Sequence, residues 1–200
     1  MLRQLDMMAG IAAVEAWCRL REIGRPDLIV GFYSSPGTLQ TPEFVDTLIW
    51  QAAALDVPPD RIVVELLETM VLRPSDKAAG QVARLKEEGF RPFLDDFGIG
   101  YAGLSHLAEL GVEGLKIDRS LVSKIHDDRI ARRIVEAVLS LCRDLNLRVI
   151  AEGVETQEQL QVLADLGCET WQGYHFSKPV PWDQALRMVS ADVERASARA

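Results

Sequence analysis

The sequence has few of the residues that mark secreted, membrane-spanning or nucleic-acid-binding chains. Its three cysteines, Cys18, Cys142 and Cys168, lack metal-ligand spacing, which indicates reduced thiols rather than a disulfide framework. No apolar run approaches the roughly 20 residues of a membrane span. The N-terminal residues lack the layout of a signal peptide, because Asp6 and Glu15 interrupt them. We therefore expect a cytoplasmic protein with no membrane segment.

Acidic residues outnumber basic ones, with 30 Asp and Glu against 22 Lys and Arg. The 200 residues carry a formal net charge of −8, which argues against a broad surface for polymeric nucleic acid. A small anionic ligand is still compatible with this charge if a metal ion mediates the contact. The length fits one domain with a substantial core, and we expect a single domain over residues 1–200.

Short runs rich in β-branched residues alternate with segments of helical periodicity. The runs are residues 27–34, 61–67, 91–97, 114–118, 147–154 and, more weakly, 169–176. The helical segments are residues 2–23, 42–56, 76–88, 128–145, 157–166 and 182–197. This alternation predicts an α/β fold of βαβ units around a parallel sheet that is buried on both faces.

Several helix ends have recognisable signals. Thr41 and Pro42 predict a helix N-terminus, and Thr156 with Gln159 forms a capping-box pair. Gly89 and Gly167 follow predicted helices at the positions where those helices should end.

Polar residues stand near the carboxyl ends of the predicted strands. In chain order they are Glu65, Asp95, Asp96, Lys116, Asp118, Glu152, Glu155 and Gln172. In a closed (β/α) barrel these strand ends gather on one face, where barrel enzymes keep their chemistry. The sequence therefore predicts that several acids and one lysine meet in one pocket.

For any one of these residues, the start of a solvated loop is the simpler interpretation. Taken together, the residues favour partial burial over a solvated loop, because acids inside apolar runs such as "VVELL" and "VIAEGV" must be partly buried. Buried carboxylates need cations or hydrogen bonds, and Mg²⁺ or Mn²⁺ held by oxygen ligands would supply the charge. These patterns predict an acidic, metal-binding mouth without naming a substrate.

Five stretches in order resemble the EAL-domain family of cyclic di-GMP phosphodiesterases and receptors. They are "VVELLET", "FLDDFGIGYAGLSHL", "LKIDRSLV", "VIAEGVET" and "GCETWQGYHFSKP", and they span about residues 60–180. The resemblance implies a modified (β/α)₈ barrel whose first strand runs antiparallel to the others. It also implies Mg²⁺- or Mn²⁺-dependent hydrolysis of cyclic di-GMP to pGpG in active members.

The resemblance assigns roles residue by residue. Glu65 and Asp95 would be metal ligands, and Asp96 would serve a second metal. Lys116 would hold the attacking water or the phosphate, and Glu152 would act as general base or second-metal ligand. The remaining assigned residues are Glu155 and Gln172, which would line the site, and Glu68, which would anchor the loop of residues 97–105.

The sequence departs from the family pattern in two places. The Glu-Ala-Leu signature is absent, and the chain is expected to start at the helix before the third strand, with six of eight barrel strands present and the first two missing. In addition, the family's "NLSP" stretch is "YSSP" here, so Tyr33 occupies the position of a metal-ligand asparagine. A neutral phenol is a poor Mg²⁺ ligand.

Three functional hypotheses remain open at this point. The first is a degenerate, catalytically silent module that binds cyclic di-GMP or a protein partner and needs no cofactor. The second is an active metal-dependent phosphodiesterase. The third is a dimerisation unit in which the acids are remnants. The open barrel would also need to be covered by a partner chain, a swapped segment, a homodimer formed through its open edges or a rearranged N-terminal helix, unless the sequence is a truncation.

Overall fold

The computed structural model describes residues 1–67, 76–98 and 110–197 of the chain. The first part contains helix α1 (Leu2–Glu22), strand β1 (Val30–Ser34), the short helix α2 (Pro36–Leu39), helix α3 (Pro42–Ala54), a 3₁₀ turn (Pro59–Arg61) and strand β2 (Ile62–Leu67). The remaining elements are α4 (Asp76–Glu87), β3 (Arg91–Phe97), β4 (Gly114–Ile117), α5 (Arg119–Val122), α6 (Arg129–Asp144), β5 (Arg148–Ala151), α7 (Gln157–Asp165) and α8 (Trp182–Ser197).

The strands form one parallel sheet in the order β1-β2-β3-β4-β5. Consecutive strands are neighbours, so the sheet curls as part of a (β/α) barrel with its helices on the outside. The α/β prediction is confirmed. Each helix predicted from the periodicity is also present, with its ends within two residues of the predicted ones.

The sixth predicted strand is present in reduced form. Trp171 makes a single parallel bridge to Ala151 at the edge of β5. The main-chain N–H of Gln172 donates to Ala151 O, and the N–H of Val154 donates to Gln172 O. Pairing stops there because residues 173–176 turn, and the His175 N–H donates back to Val154 O.

Most of the core lies between the sheet and the outer helices. It contains eleven large side chains that are essentially inaccessible, namely Leu39, Phe44, Leu48, Ile62, Leu66, Leu85, Phe90, Leu94, Leu115, Ile117 and Ile125. Helix α1 approaches closely at Gly10, where a Cβ would lie 2.7 Å from Leu48 Cδ2. This close packing fixes α1 against β1 and α3.

The predicted helix signals are found with one difference. Thr156 accepts from the Gln159 N–H, and the Gln159 side chain accepts from the Thr156 N–H, so the capping box is complete. Thr41 does precede the first residue of α3, but its hydroxyl donates to Thr38 O instead of capping that helix. Gly89 and Gly167 have φ values of 88° and 83°, a left-handed conformation that glycine adopts at little cost.

A buried polar cluster joins α1 to the residues that follow β1. Asp6 Oδ2 accepts hydrogen bonds from the Ser35 N–H at 3.0 Å, the Ser35 hydroxyl at 2.5 Å and the Thr38 hydroxyl at 2.6 Å. Burial alone would raise the pKa of Asp6, but these hydrogen bonds outweigh it and lower the pKa. The stability from this cluster is therefore lost as the pH falls through the folded-state pKa.

Ser34 and Ser35 are adjacent, but they have different hydrogen-bond partners. We therefore expect them to contribute differently to the free energy of unfolding. Ser34 is inaccessible, and its hydroxyl has no hydrogen-bond partner among the described residues. We expect Ser34→Ala to leave the free energy of unfolding unchanged or to raise it by up to about 1 kcal/mol. Ser35→Ala should lower it by about 1–3 kcal/mol, because the buried Asp6 carboxylate loses a donor. Urea unfolding of both variants measures the difference, and a larger loss for Ser34→Ala would contradict it.

Candidate functional site

Lys116 is the centre of a cluster at the carboxyl end of the sheet. Its ammonium nitrogen lies 2.9 Å from Glu65 Oε2, 3.2 Å from Asp95 Oδ1 and 2.7 Å from Glu152 Oε1. Only 6% of the lysine side chain is exposed. The structure therefore brings together side chains from the ends of β2, β3, β4 and β5, at positions far apart in the chain.

Charge in this cluster is unbalanced, because one ammonium faces three carboxylates. Burial opposes the charged form of Lys116, but Glu65 and Glu152 outweigh it and hold the lysine pKa above its usual range. Burial also raises the pKa of Glu152, and repulsion from Asp95 and Glu65 adds to that rise against the attraction of Lys116. The excess negative charge favours any additional cation.

A β-bulge explains how two adjacent aspartates reach the same pocket. Leu94 pairs with Leu115 and Phe97 with Ile117, so Asp95 and Asp96 together lie opposite Lys116. Adjacent residues of a regular strand point to opposite faces, and the bulge breaks this alternation. Asp96 has a φ of 57°, a left-handed conformation that aspartate tolerates better than most residues.

The bulge creates a second grouping of acids beside Lys116. One carboxylate oxygen from each of Asp95, Asp96 and Glu152 lies within 4.8 Å of the others. The Asp95 Oδ1 atom is buried, and among the described residues it accepts no hydrogen bond with acceptable geometry, although it lies near the ammonium. Three oxygen donors with one under-satisfied atom fit a hard divalent cation. These three residues could hold such an ion, and Glu65 is paired with Lys116 at 2.9 Å.

Tyr33 is at the end of the edge strand β1. It pairs in register with Glu65, and paired residues of parallel strands point to the same face. Burial raises the pKa of Tyr33, and the charges of Asp6, Asp95 and Asp96 raise it further. The phenol is therefore protonated at neutral pH and offers no anionic ligand beside Glu65.

The other predicted site residues that the structure describes do not belong to the cluster around Lys116. Glu155 and Gln172 are exposed near the rim, outside the cluster of ion pairs around Lys116. Asp118 does not join the cluster, since its carboxylate accepts from the Ser120 N–H and caps α5. Glu68 and most of the loop of residues 97–105 lie outside the described residues.

Gly31 is a site residue that sequence reasoning missed. It lies on the same strand as Tyr33, and a Cβ there would lie 2.8 Å from Glu65 Oε1. The glycine therefore makes room for the Glu65 carboxylate against the backbone of β1. An isolated glycine inside a β-branched run is the signal that could have found it, because such glycines mark close approaches.

None of the helices in the described part of the chain combines the length and hydropathy needed to cross a bilayer.

Comparison with known families gives one consistent match. The sequence profile of the EAL domain matches residues 1–179. A probable cyclic di-GMP phosphodiesterase of Escherichia coli, PdeG, is 35% identical over 160 residues, which are 80% of this chain and 32% of PdeG. The chain also spans 22% of the length of a Synechocystis relative, so it corresponds to only part of these proteins.

Solved structures show the same similarity in three dimensions. The EAL domain of Mycobacterium smegmatis DcpA superposes with a TM-score of 0.90 at 29% identity, covering 96% of this chain and 86% of that one. A manganese and cyclic di-GMP complex of Klebsiella pneumoniae BlrP1 superposes with a TM-score of 0.80 at 31% identity, covering 88% and 45%.

Replacing Lys116 tests whether its charge holds the cluster together. Lys116→Met should lower the free energy of unfolding by about 3–5 kcal/mol, because three carboxylates lose their buried counter-charge. Mn²⁺ should raise the melting temperature of this variant more than that of the native chain, since a cation can replace the ammonium.

Thermal unfolding in MnCl₂ and in a chelator measures the melting temperature of each variant. Lys124→Met, which removes an exposed lysine, is the control. A Lys116→Met protein that is as stable as the native chain in the chelator would rule out this role.

Proposed function

The chain belongs to the EAL domain family, and on that premise we propose that it is a cyclic di-GMP signalling domain of the binding type. In this proposal it recognises the nucleotide or a protein partner and does not hydrolyse the nucleotide. The 200 residues act as one barrel-type domain. The observation that carries the proposal is the position of Tyr33 beside Glu65.

Tyr33 changes the donor set at the first-metal position. The family resemblance places an asparagine ligand there, and this chain has a phenol with a raised pKa. Neutral phenols are poor ligands for Mg²⁺, which prefers carboxylate, carbonyl and water oxygens. Glu65, the acid beside it, is already paired with Lys116 at 2.9 Å. A cation at this position would have one donor fewer and would compete with an ammonium.

Nucleotide binding would use the remaining polar residues of the mouth. Lys116 would attract a phosphate oxygen when the carboxylates around it bind a cation or a proton. Glu155 and Gln172, which are exposed at the rim, would line the ligand. Retention of these groups supports recognition of cyclic di-GMP even where hydrolysis is lost.

A second candidate function is a metal-dependent phosphodiesterase that converts cyclic di-GMP to pGpG. The grouping of Asp95, Asp96 and Glu152 favours it, because the three oxygens are close enough to share an ion. A bound Mg²⁺ or Mn²⁺ would supply Lewis-acid polarisation of the phosphate and a more acidic water. In this alternative Glu65 and Asp95 would bind the first ion and Asp96 the second. Lys116 would hold the water or the phosphate, and Glu152 would accept a proton or bind the second ion.

Incubation with cyclic di-GMP and Mn²⁺, followed by chromatography of the nucleotides, distinguishes the two candidates. We expect the native chain to bind cyclic di-GMP in calorimetry and to form no pGpG above the protein-free rate. Clear turnover would establish the phosphodiesterase instead. A chain that binds neither Mn²⁺ nor cyclic di-GMP would contradict the phosphodiesterase and the nucleotide-binding form of the first candidate, and would leave recognition of a protein partner.

Restoring the asparagine tests the role of Tyr33 directly. Tyr33→Asn should tighten Mn²⁺ binding by about 10-fold or more, because it returns an oxygen ligand beside Glu65. Tyr33→Phe is the matched control, since it removes the hydroxyl, keeps the ring and should not tighten binding. Calorimetric titration with MnCl₂ measures both variants. Equal metal affinities for the two variants would show that Tyr33 does not limit the site.

A further inference from the structure

Gln159 is a buried polar residue outside the ion-pair cluster, and its side chain makes hydrogen bonds to two different segments. It lies in the first turn of α7 and is 5% exposed. Its carbonyl oxygen accepts from the N–H groups of Glu155 at 2.8 Å and Thr156 at 3.1 Å. Its amide nitrogen donates to Ser123 O, at the end of α5, at 3.3 Å. The side chain therefore joins the start of α7 to the end of α5.

Capping of α7 alone does not require glutamine at this position. In a capping box, either Glu or Gln at the third helical position accepts from the N–H of the cap residue, and a negative charge is favourable near a helix N-terminus. Glutamate would therefore cap α7 at least as well. Of the two residues, only glutamine also has N–H groups, and Gln159 uses one of them on Ser123 O. This donor indicates a role beyond capping.

The segment of residues 152–156, which we call the β5–α7 turn, carries Glu152 into the mouth. Glu152 Oε1 lies 2.7 Å from the ammonium of Lys116. The same side chain supplies one of the three carboxylate oxygens, with those of Asp95 and Asp96, that lie within 4.8 Å of one another. The position of this turn therefore determines the spacing of the three acids.

The β5–α7 turn is in direct contact with β4 and α5. The Glu152 N–H donates to Ile117 O, at the end of β4, at 3.0 Å. Gly153 has a φ of 70°, and a Cβ there would lie 2.4 Å from the Cβ of Arg119, the first residue of α5. Because the backbone lies directly against α5, a change in the distance between α5 and α7 would move the turn.

We propose that Gln159 is a positioning residue that sets the place of Glu152 in the mouth through the β5–α7 turn. Its hydrogen bond to Ser123 O fixes the distance between α5 and α7, the two helices that the turn contacts. Loss of this bond lets the turn move away from α5 and spreads the three acids apart. The inference rests on the proposed function only in treating those acids as the place for a cation.

Two variants separate the link to α5 from helix capping. Gln159→Glu keeps an acceptor for the Thr156 N–H and loses the donor to Ser123 O. Thr156→Ala loses the hydroxyl that accepts from the Gln159 N–H, and it keeps the side-chain bond to Ser123. Thr156→Ala is therefore the matched control for an effect of capping, and circular dichroism checks that both variants are folded.

Calorimetric titration with MnCl₂ measures the effect on a cation in the mouth. Gln159→Glu should weaken Mn²⁺ binding about tenfold, the effect of losing support around a metal ligand, and Thr156→Ala should leave it unchanged. The added negative charge would by itself strengthen cation binding, so weaker binding cannot come from charge. Binding by Gln159→Glu that is as tight as that of the native chain overturns the proposal, and so does an equal loss in both variants.

Hydrogen exchange tests the link without a cation. The Glu152 amide should exchange about fivefold faster in Gln159→Glu, which is the effect of one lost hydrogen bond. Thr156→Ala should instead speed exchange of the Gln159 amide in the first turn of α7. Unchanged exchange at Glu152 in Gln159→Glu overturns the proposal. If the native chain binds no Mn²⁺, the cation assignment fails, and the exchange result alone decides the role of Gln159.

Discussion

The arrangement of the mouth depends on the ammonium of Lys116. This single buried cation lies within 3.2 Å of carboxylates from three other strand ends. Each of those carboxylates would be costly to bury alone, and their mutual repulsion would push the strand ends apart. The parallel order of β2 to β5 places these carboxylates at one edge of the sheet, and the ammonium of Lys116 offsets their repulsion. A metal ion at the Asp95, Asp96 and Glu152 grouping would have to share Asp95 and Glu152 with the ammonium.

The helices and strands were largely predictable because their signals are local. Apolar periodicity located α6, and the Thr156–Gln159 pair located the start of α7 within one residue. The meeting of Glu65, Lys116 and Glu152 was also predictable, since parallel strands place their carboxyl ends at one edge. The resemblance to a known family was needed to suggest a ligand, and the roles of the individual residues are still proposals.

The features that were missed depend on contacts between distant segments. Nothing local in "FLDDF" distinguishes a bulge from a regular strand, because the extra residue is defined only by pairing with Leu115 and Ile117. Thr41 has the residue type and position of a helix cap, but its hydroxyl donates to Thr38 O instead. Glu68 and the loop after Gly98 lie outside the described residues, so the predicted loop anchor is still a prediction.

The hydrogen bonds of Asp6 have a mechanical consequence. Asp6 is on α1, and its partners Ser35 and Thr38 lie just after β1, the strand that carries Tyr33. Three hydrogen bonds of 2.5, 2.6 and 3.0 Å converge on one carboxylate oxygen, and they couple α1 to the residues that follow β1. A displacement of α1 would therefore be passed to the residues beside Tyr33, at the rim of the pocket.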